Sequence, residues 1–347
     1  MGRAITTTES PISATRLGEI LGRKVSAVTV EASNPTVISH VWRLKLDYDG
    51  EAGPSTLFLK TRHLDKTRGF AASGPHELAF YRTLAPETPG GILVHCHDSH
   101  WDQATGDWHL LLEDLRDTHE APSSWPFPPT LPRSEAVIRT LARFHATWWD
   151  DKRLGVTIGS WASAADIAQG QQQMSDAVAK LADALGDRFT PDKRVLYEQL
   201  IDRTEPLSAR YHSRRNMTII HGDTHVWNCW LPRTGVAAPP KLFDWDSWRL
   251  DYATDDLAYQ MALHWYPDIR RERESRLLDA YHAELLAHGV TGYDRQALQD
   301  DYRLSVLWMT MKPVWQHAYG IPAHIWWPHL ARIHTAVDDL GCRDLLT

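Results

Sequence analysis

The hydrophobic period of this chain changes once along its length, and that change limits the architectures open to it. Up to about residue 115 the apolar positions alternate or run in short β-branched stretches: KVSAVTV (24–30), HVWRLKLDY (40–48), STLFLKT (55–61), then ILVHCHDSH and WHLLLEDL around a QATGD turn. Such runs, separated by turn chemistry, read as strands. One helical pattern interrupts them, SGPHELAFYRTLAPE (73–87), with Ser73 before it and Pro75 in its first turn. Residues 116–130, RDTHEAPSSWPFPPT, carry four prolines and no periodicity. Beyond them Val137, Leu141, Phe144 and Trp148 recur at i, i+4, i+7 and i+11, the stripe of a buried amphipathic helix. Helical patterns continue over about 161–185, 191–213, 254–265, 270–288, 294–318 and 324–340. The exception is a group of short strand-like runs, MTIIHGD, CWLPRTG and PKLFDWD, around tight loops. The expectation is an α+β fold, β-rich over 1–115 and mainly helical over 116–347.

Composition removes several function classes. The 347 residues suffice for two domains. Net charge is −7 and no run of Lys or Arg stands out, so no nucleic-acid partner is expected. The three cysteines (Cys96, Cys229, Cys342) are far apart and form no CxxC pair, which suits a reducing compartment and provides no zinc knuckle. No apolar run approaches the ~20 residues a bilayer requires, so no membrane partner is expected. The N-terminus lacks an apolar signal core, so the expected location is the cytoplasm. The first six residues match a myristoylation pattern, M-G-x-x-x-[ST]; the pattern is short and is read as chance. The sequon at Asn216 leads straight into an apolar strand and is read as incidental.

The densest polar constellation is IIHGDTHVWNCW (219–230). Asp223 and Asn228 stand five residues apart on a loop, and Asp244 follows the next short strand, KLFDWD. A carboxylate and an amide oxygen are hard ligands suited to Mg²⁺. A further carboxylate beside them can accept a proton from an attacking hydroxyl. The spacing follows the logic of the protein-kinase catalytic loop and its metal-binding Asp.

HGDTHVWN followed by FDWD resembles the signature of the aminoglycoside phosphotransferase and choline kinase superfamily, which has a protein-kinase-like fold. LFLKT resembles that superfamily's nucleotide-lysine strand, HELAFYRTL the helix whose Glu pairs with the Lys, and LLLEDL the hinge. LARFHATWW and the closing HTAVDDLGCRDLL resemble its ecdysteroid-kinase-like branch and bacterial relatives. The resemblance implies a two-lobed kinase-like fold, with a nucleotide-binding N-lobe (1–115) and a C-lobe (116–347) carrying the catalytic loop and acceptor site. It implies Asp223 as catalytic base, Asn228 and Asp244 as Mg²⁺ ligands, and Lys60 on the ATP phosphates with Glu77 holding its ammonium. Backbone groups at Glu113 and Leu115 would read the adenine edge. His221 and Asp256 would tie down the catalytic loop. ATP is the implied donor, and GTP stays open beside it.

The residues support one of these roles independently. Glu77, Tyr81 and Leu84 share a helix face, so Glu77 points toward packed side chains and needs a cation, which Lys60 can supply. One departure concerns EASNPTVISH (31–40), where the phosphate-covering loop is expected and no glycine occurs. Backbone N–H groups around Ser33, Thr36 and Ser39 could cap phosphates there, although Pro35 removes one donor.

The remaining polar groups divide by context. Asp246 could ligate a second metal, contact the acceptor or cap a turn. His95 and His97 in HCHDSH share a strand face without a clear third ligand, and read as a solvated hairpin face. His145, on an apolar helical stripe, reads as a satisfied core histidine. Of 16 Trp, seven fall after residue 240. Most should pack helices, yet their density makes an aromatic-walled acceptor cavity plausible. Trp326, Trp327, His225 and Asp246 are the candidate acceptor contacts. The acceptor so implied is a hydroxylated small molecule, neutral or partly hydrophobic. An aminoglycoside or choline-like amino alcohol, a non-catalytic nucleotide-binding regulator, and a protein-modifying enzyme are the competing readings.

Overall fold

The computed structural model describes residues 9–36, 39–64 and 73–347. The myristoylation-like hexapeptide and positions 37–38 of the glycine-free loop lie outside the described residues. In chain order the elements begin α1 (Ala14–Leu21), β1 (Val25–Pro35), β2 (Ser39–Tyr48), β3 (Thr56–Arg62) and α2 (Ser73–Ala79). They continue β4 (Cys96–Trp101), β5 (Trp108–Glu113), β6 (His119–Glu120), α3 (Leu131–Thr147), α4 (Ala164–Leu185), α5 (Pro191–Asp202), α6 (Thr204–Leu207) and α7 (Ala209–Ser213). Next come β7 (Thr218–Ile220), β8 (Cys229–Pro232), β9 (Lys241–Leu242), β10 (Arg249–Asp251) and α8 (Ala253–Leu257). The last four α-helices are α9 (Pro267–Ala287), α10 (Arg295–Met309), α11 (Met311–Ala318) and α12 (Ala323–Asp339). The chain divides into two compact units: residues through Ala121 with Trp230–Ser247, and Pro122–Cys229 with Trp248–Thr347.

The first unit is built on an antiparallel five-stranded sheet of order β1-β2-β3-β5-β4. Alternation along β2 and β3 sends Trp42, Leu44, Leu57 and Leu59 into a core shared with Leu111 of β5 and Leu17 of α1. α2 packs on β4 and β5. Its continuation is wider than an α-helix over Phe80–Leu84, where the Ala85 N–H reaches back five residues to the Phe80 carbonyl. Such wide turns recur at functional sites. Glu77, Tyr81 and Leu84 are all buried, as their shared face requires. β6, β8 and β9 form a small second sheet.

In the second unit α3 lies along α9, and the stripe Val137, Leu141, Phe144 and Trp148 is buried. β7 is fully buried and pairs antiparallel with β10, a two-stranded support beneath the HGD loop.

Sequence periodicity missed α1, which is held by a Ser13 cap and a left-handed Gly22 and buries Leu17 alone; eight residues offer too few apolar positions to show a period. The helix expected over 191–213 is three pieces, because Arg203 leaves helical geometry (φ −96°, ψ 11°) and Pro206 cannot donate within α6. That expected over 294–318 becomes α10 and α11, joined at Thr310. β6 and β10 are too short to carry an alternation signal. Among the described residues no helix is long and apolar enough to cross a membrane.

Candidate active site

In the first unit β3 carries Lys60 into the interior, 7% exposed. Its ammonium lies 2.6 Å from Glu77 Oε2 and 2.5 Å from Asp244 Oδ1. Burial by itself lowers the affinity of Lys60 for its proton. The charges of Asp244, Glu77 and Asp246, with the hydrogen bond to Asp244, more than offset that, so the ammonium is held above its ordinary range. Glu77 moves the other way from most ion-paired carboxylates: burial pushes it up to about 7, Lys60 opposes the rise and Asp244 adds to it. One cation thus serves two carboxylates, of which Glu77 is the buried one and Asp244 the accessible one (1% and 39% side-chain exposure).

Asp244 stands at φ +69°, a left-handed conformation that a non-glycine residue adopts at a cost. Its neighbour holds it there. Trp245 is fully buried, stacks on Phe80 with centroids 4.0 Å apart at 7°, and donates its backbone N–H to Glu77 Oε1 at 3.2 Å. Asp246 accepts a hydrogen bond from the Ser247 hydroxyl at 2.9 Å.

The other first-unit candidates lie along the same sheet. Glu113, at the end of β5, accepts through Oε1 from the His95 N–H (2.9 Å) and from Lys241 (2.9 Å), while its own N–H donates to the His95 carbonyl (2.9 Å). The Leu115 carbonyl accepts from the N–H groups of Thr118 and His119. Ser39 is buried at the start of β2, its hydroxyl 3.0 Å from that of Thr36. His95 and His97 meet edge to face at 4.5 Å, and among the described residues no group of three His, Cys, Asp or Glu side chains is placed to hold a metal.

In the second unit the HGD loop leaves β7 and is fastened to Asp256 in α8. The N–H groups of His221 and Gly222 donate to the two Asp256 carboxylate oxygens at 2.8 and 2.9 Å, and the Thr224 hydroxyl donates to the Asp256 carbonyl at 2.8 Å. Gly222 takes φ +80°, a conformation readily adopted without a Cβ. His145 completes the anchor. Its Nε2 lies 3.1 Å from Asp256 Oδ2 and its Nδ1 2.7 Å from the Tyr281 hydroxyl. Asp256 accepts, so Nε2 carries the proton and Nδ1 receives the tyrosine O–H. Burial would raise Asp256; the His145 hydrogen bond, the electrostatic pull of the His145 and His221 rings, and the His221 amide together hold it below the usual carboxylate range.

The anchored loop presents Asp223. Its N–H donates to His221 Nδ1 (3.3 Å), its carbonyl accepts from Asn228 Nδ2 and the His225 N–H (2.9 Å each), and Oδ2 lies 3.7 Å from His225 Nε2. With Asn228 Nδ2 committed to that carbonyl, the amide oxygen is the atom this residue can offer a hard cation.

Sequence reasoning missed Tyr259, whose hydroxyl donates to Asp223 Oδ1. Tyr259 stands three residues after Asp256, one turn further along the same helical segment, so both face the HGD loop. That spacing was the available signal. A histidine group adjoins it: His264 packs 4.7 Å from the Tyr259 ring, 4.6 Å from His329 and 5.9 Å from His225. Burial, then His329 and His225, hold His264 well below its ordinary value.

A cavity of about 350 Å³ opens in the second unit and reaches both Gly222 and Tyr259, a size suited to a small organic ligand. Much of its wall is apolar, from Met174, Trp308, Met311 and Trp315. The candidate aromatics fall elsewhere. Trp326 is buried against His317 (5.2 Å), and Trp327 is 43% exposed; neither lines this cavity.

Among solved structures the chain is similar to a putative aminoglycoside phosphotransferase from Ralstonia eutropha JMP134, with 13% identity, 92% of this chain and 93% of that chain covered, and a TM-score of 0.57. It is similar to a choline kinase from Cryptosporidium parvum Iowa II, with 10% identity, 92% of each chain covered and a TM-score of 0.59. An ethanolamine kinase from Plasmodium vivax matches at 10% identity, over 91% of this chain and 82% of that one, with a TM-score of 0.54. At such identities the likeness establishes the fold, a kinase-like one with a β-sheet N-terminal region and a helical C-terminal region. No match is found among curated protein sequences. The model of the ecdysteroid kinase-like family matches residues 36–290, which together with the fold supports a phosphotransferase of the small-molecule kinase kind. The chain belongs to the ecdysteroid kinase-like family.

Proposed function

We propose that the protein is a cytoplasmic, ATP-dependent phosphotransferase that moves the γ-phosphoryl group to the hydroxyl of a small, neutral and largely apolar alcohol. The observation that carries the reading is the buried Lys60, shared between Glu77 and the exposed Asp244. An ammonium oriented by one buried carboxylate beside a second, accessible one is suited to receiving phosphates with their metal. The N-lobe, taken as 1–115, would hold the nucleotide through Lys60, the backbone at Glu113 and Leu115, and the loop ending at Ser39. The C-lobe, 116–347, would hold the acceptor.

Asp223 would orient the acceptor hydroxyl and take its proton as the new O–P bond forms and the bond to the β-phosphate oxygen breaks, releasing ADP. Tyr259 would fix the carboxylate in its productive rotamer, and Asp256 with His145 and His221 would fix the loop. Oxygen donors at Asn228 and Asp244 fit Mg²⁺, which when bound would neutralise charge on the transferred group. The wall of Met and Trp side chains supports an apolar acceptor. His225 and Asp246 are the polar groups proposed to orient it.

The test is a screen of hydroxylated small molecules with Mg²⁺ and ATP, with GTP as a parallel donor, read by mass spectrometry for the added phosphoryl group. Failure to phosphorylate any alcohol while a protein substrate gains phosphate or nucleotide would sink the reading.

A further inference from the structure

We propose that Lys312 is a charge selector in the acceptor cavity, turning away alcohols that carry an ammonium group and leaving the cavity to neutral ones. The proposal rests on the phosphotransferase reading and narrows its acceptor.

The first observation is placement. Trp308, Met311, Lys312 and Trp315 stand at i, i+3, i+4 and i+7, and Thr310 between them keeps helical dihedrals (φ −58°, ψ −26°), so α10 and α11 present one continuous stripe. All four line the cavity. Three of them are apolar and the fourth is a cation, set in the middle of the stripe.

The second observation is what this cation covers. Lys312 Nζ lies 4.8 Å from the centroid of the Tyr259 ring. Tyr259 also lines the cavity, and its hydroxyl holds Asp223. An acceptor ammonium bound close to the reacting hydroxyl is stabilised by an aromatic face or by a carboxylate. The aromatic face beside Asp223 is taken by the protein's own ammonium.

The third observation concerns the carboxylates. Asp251 and Asp255 line the cavity, and Arg249, which lines it too, reaches Asp251 Oδ2 at 2.8 Å and Asp255 Oδ2 at 3.1 Å. Burial, then the charge of Asp251, holds Asp255 well above the usual carboxylate range. The acidic groups of the wall therefore offer an incoming ammonium little net charge. The Lys312 charge also reaches His329, which burial, then Arg332 and Lys312, push down to about 4. Two like charges about 5 Å apart in a partly desolvated site correspond to a discrimination on the order of 100-fold.

The experiment compares acceptors that differ in charge alone: 4-tert-butylbenzyl alcohol with its trimethylammonium isostere, and 3,3-dimethylbutanol with choline. Dissociation constants are read from tryptophan fluorescence, and kcat/KM with Mg²⁺ and ATP from the phosphorylated product. The wild-type protein is expected to prefer the neutral member of each pair by on the order of 100-fold. Lys312→Met is expected to cut that preference by about tenfold or more, while Lys312→Arg retains it. Equal binding of both members by the wild-type protein overturns the proposal, whatever the variants do. An unchanged preference in a Lys312→Met protein that melts as the wild type does overturns it as well. Charge discrimination in binding without transfer to any alcohol sinks the phosphotransferase reading instead, and the acceptor role with it.

Discussion

The Tyr259 hydroxyl donates its hydrogen bond to Oδ1 of Asp223, so the carboxylate proposed as base is oriented by a side chain 36 residues away in sequence. A hydrogen bond to a charged acceptor contributes about 1.5–3 kcal/mol. Tyr259→Phe removes the donor and keeps the ring beneath Lys312. Turnover is expected to fall by ~10-fold or more, with ATP affinity unchanged. Equal kcat in steady-state assays of the two proteins would show that Tyr259 does not position the base.

Asp223→Asn keeps the acceptor atom for Tyr259 and the backbone bonds that shape the loop, but it cannot take a proton. Turnover should drop by ~10²–10⁴-fold, the usual contribution of a positioned general base. The melting temperature should stay near that of the parent. Retained turnover would remove Asp223 from the proton-accepting role.

Lys60 and Glu77 are both buried, and removing one charge strands the other. Lys60→Met is expected to destabilise the first unit by about 3 kcal/mol or more in denaturant unfolding. Adding Glu77→Gln should recover part of that loss rather than deepen it, because the stranded carboxylate is gone. Additive losses in the double variant would contradict the pairing.

Asp244 combines the carboxylate proposed to hold the metal with a strained backbone. Asp244→Gly relieves the φ of +69° but deprives the proposed nucleotide site of its exposed anion. Magnesium-dependent turnover is expected to disappear in this variant, and excess EDTA should abolish it in the wild type. Activity that survives both treatments would exclude a metal-assisted transfer.

His334 gives the fold an acid-sensitive point. Its Nε2 faces the Tyr197 hydroxyl at 3.2 Å. Burial, then the charges of Lys193 and Arg343, hold the imidazole down to about 4, with Asp338 and Asp192 opposing. A depressed folded pKa favours the neutral form, so this contribution is complete above about 6.5 and is lost as pH falls toward about 4. Its size is on the order of 3 kcal/mol. Glu77, held up to about 7, acts with the opposite sign over part of that range. The comparison with His334→Gln isolates the imidazole. The variant is expected to lose less stability than the wild type between pH 6.5 and 4.5, and parallel profiles would refute the assignment.

The succession of elements was legible because it is written in local periods. The stripe from Val137 to Trp148 and the strand around Lys60 are each set by residues within a few turns of one another. Glu77 could be placed on a packed face for the same reason, since residues 77, 81 and 84 fall together on any helix. The HGD and FDWD motifs announced their polar chemistry because loops rich in Asp, Asn and His have few structural reasons to recur in that order. The short elements α1, β6 and β10 stayed hidden, each too brief to express a period.

What the sequence by itself determined, then, is the order of the long helices and strands, the buried face of each, and a set of candidate side chains for the site. What the tertiary structure decided is which of those side chains meet. Lys60 and Asp244 are 184 residues apart, and only the return of residues 230–247 to the first unit brings the exposed carboxylate to the buried ammonium. The return of α8 and its continuation to the HGD loop likewise puts Asp256 under the backbone and Tyr259 on Asp223. The tertiary structure also places Trp308, Trp315 and Lys312 on the cavity wall rather than Trp326 and Trp327. Periodicity reports that a face is apolar. Which surface covers that face, and which charge a buried group finds there, depends on long-range packing that no local window contains.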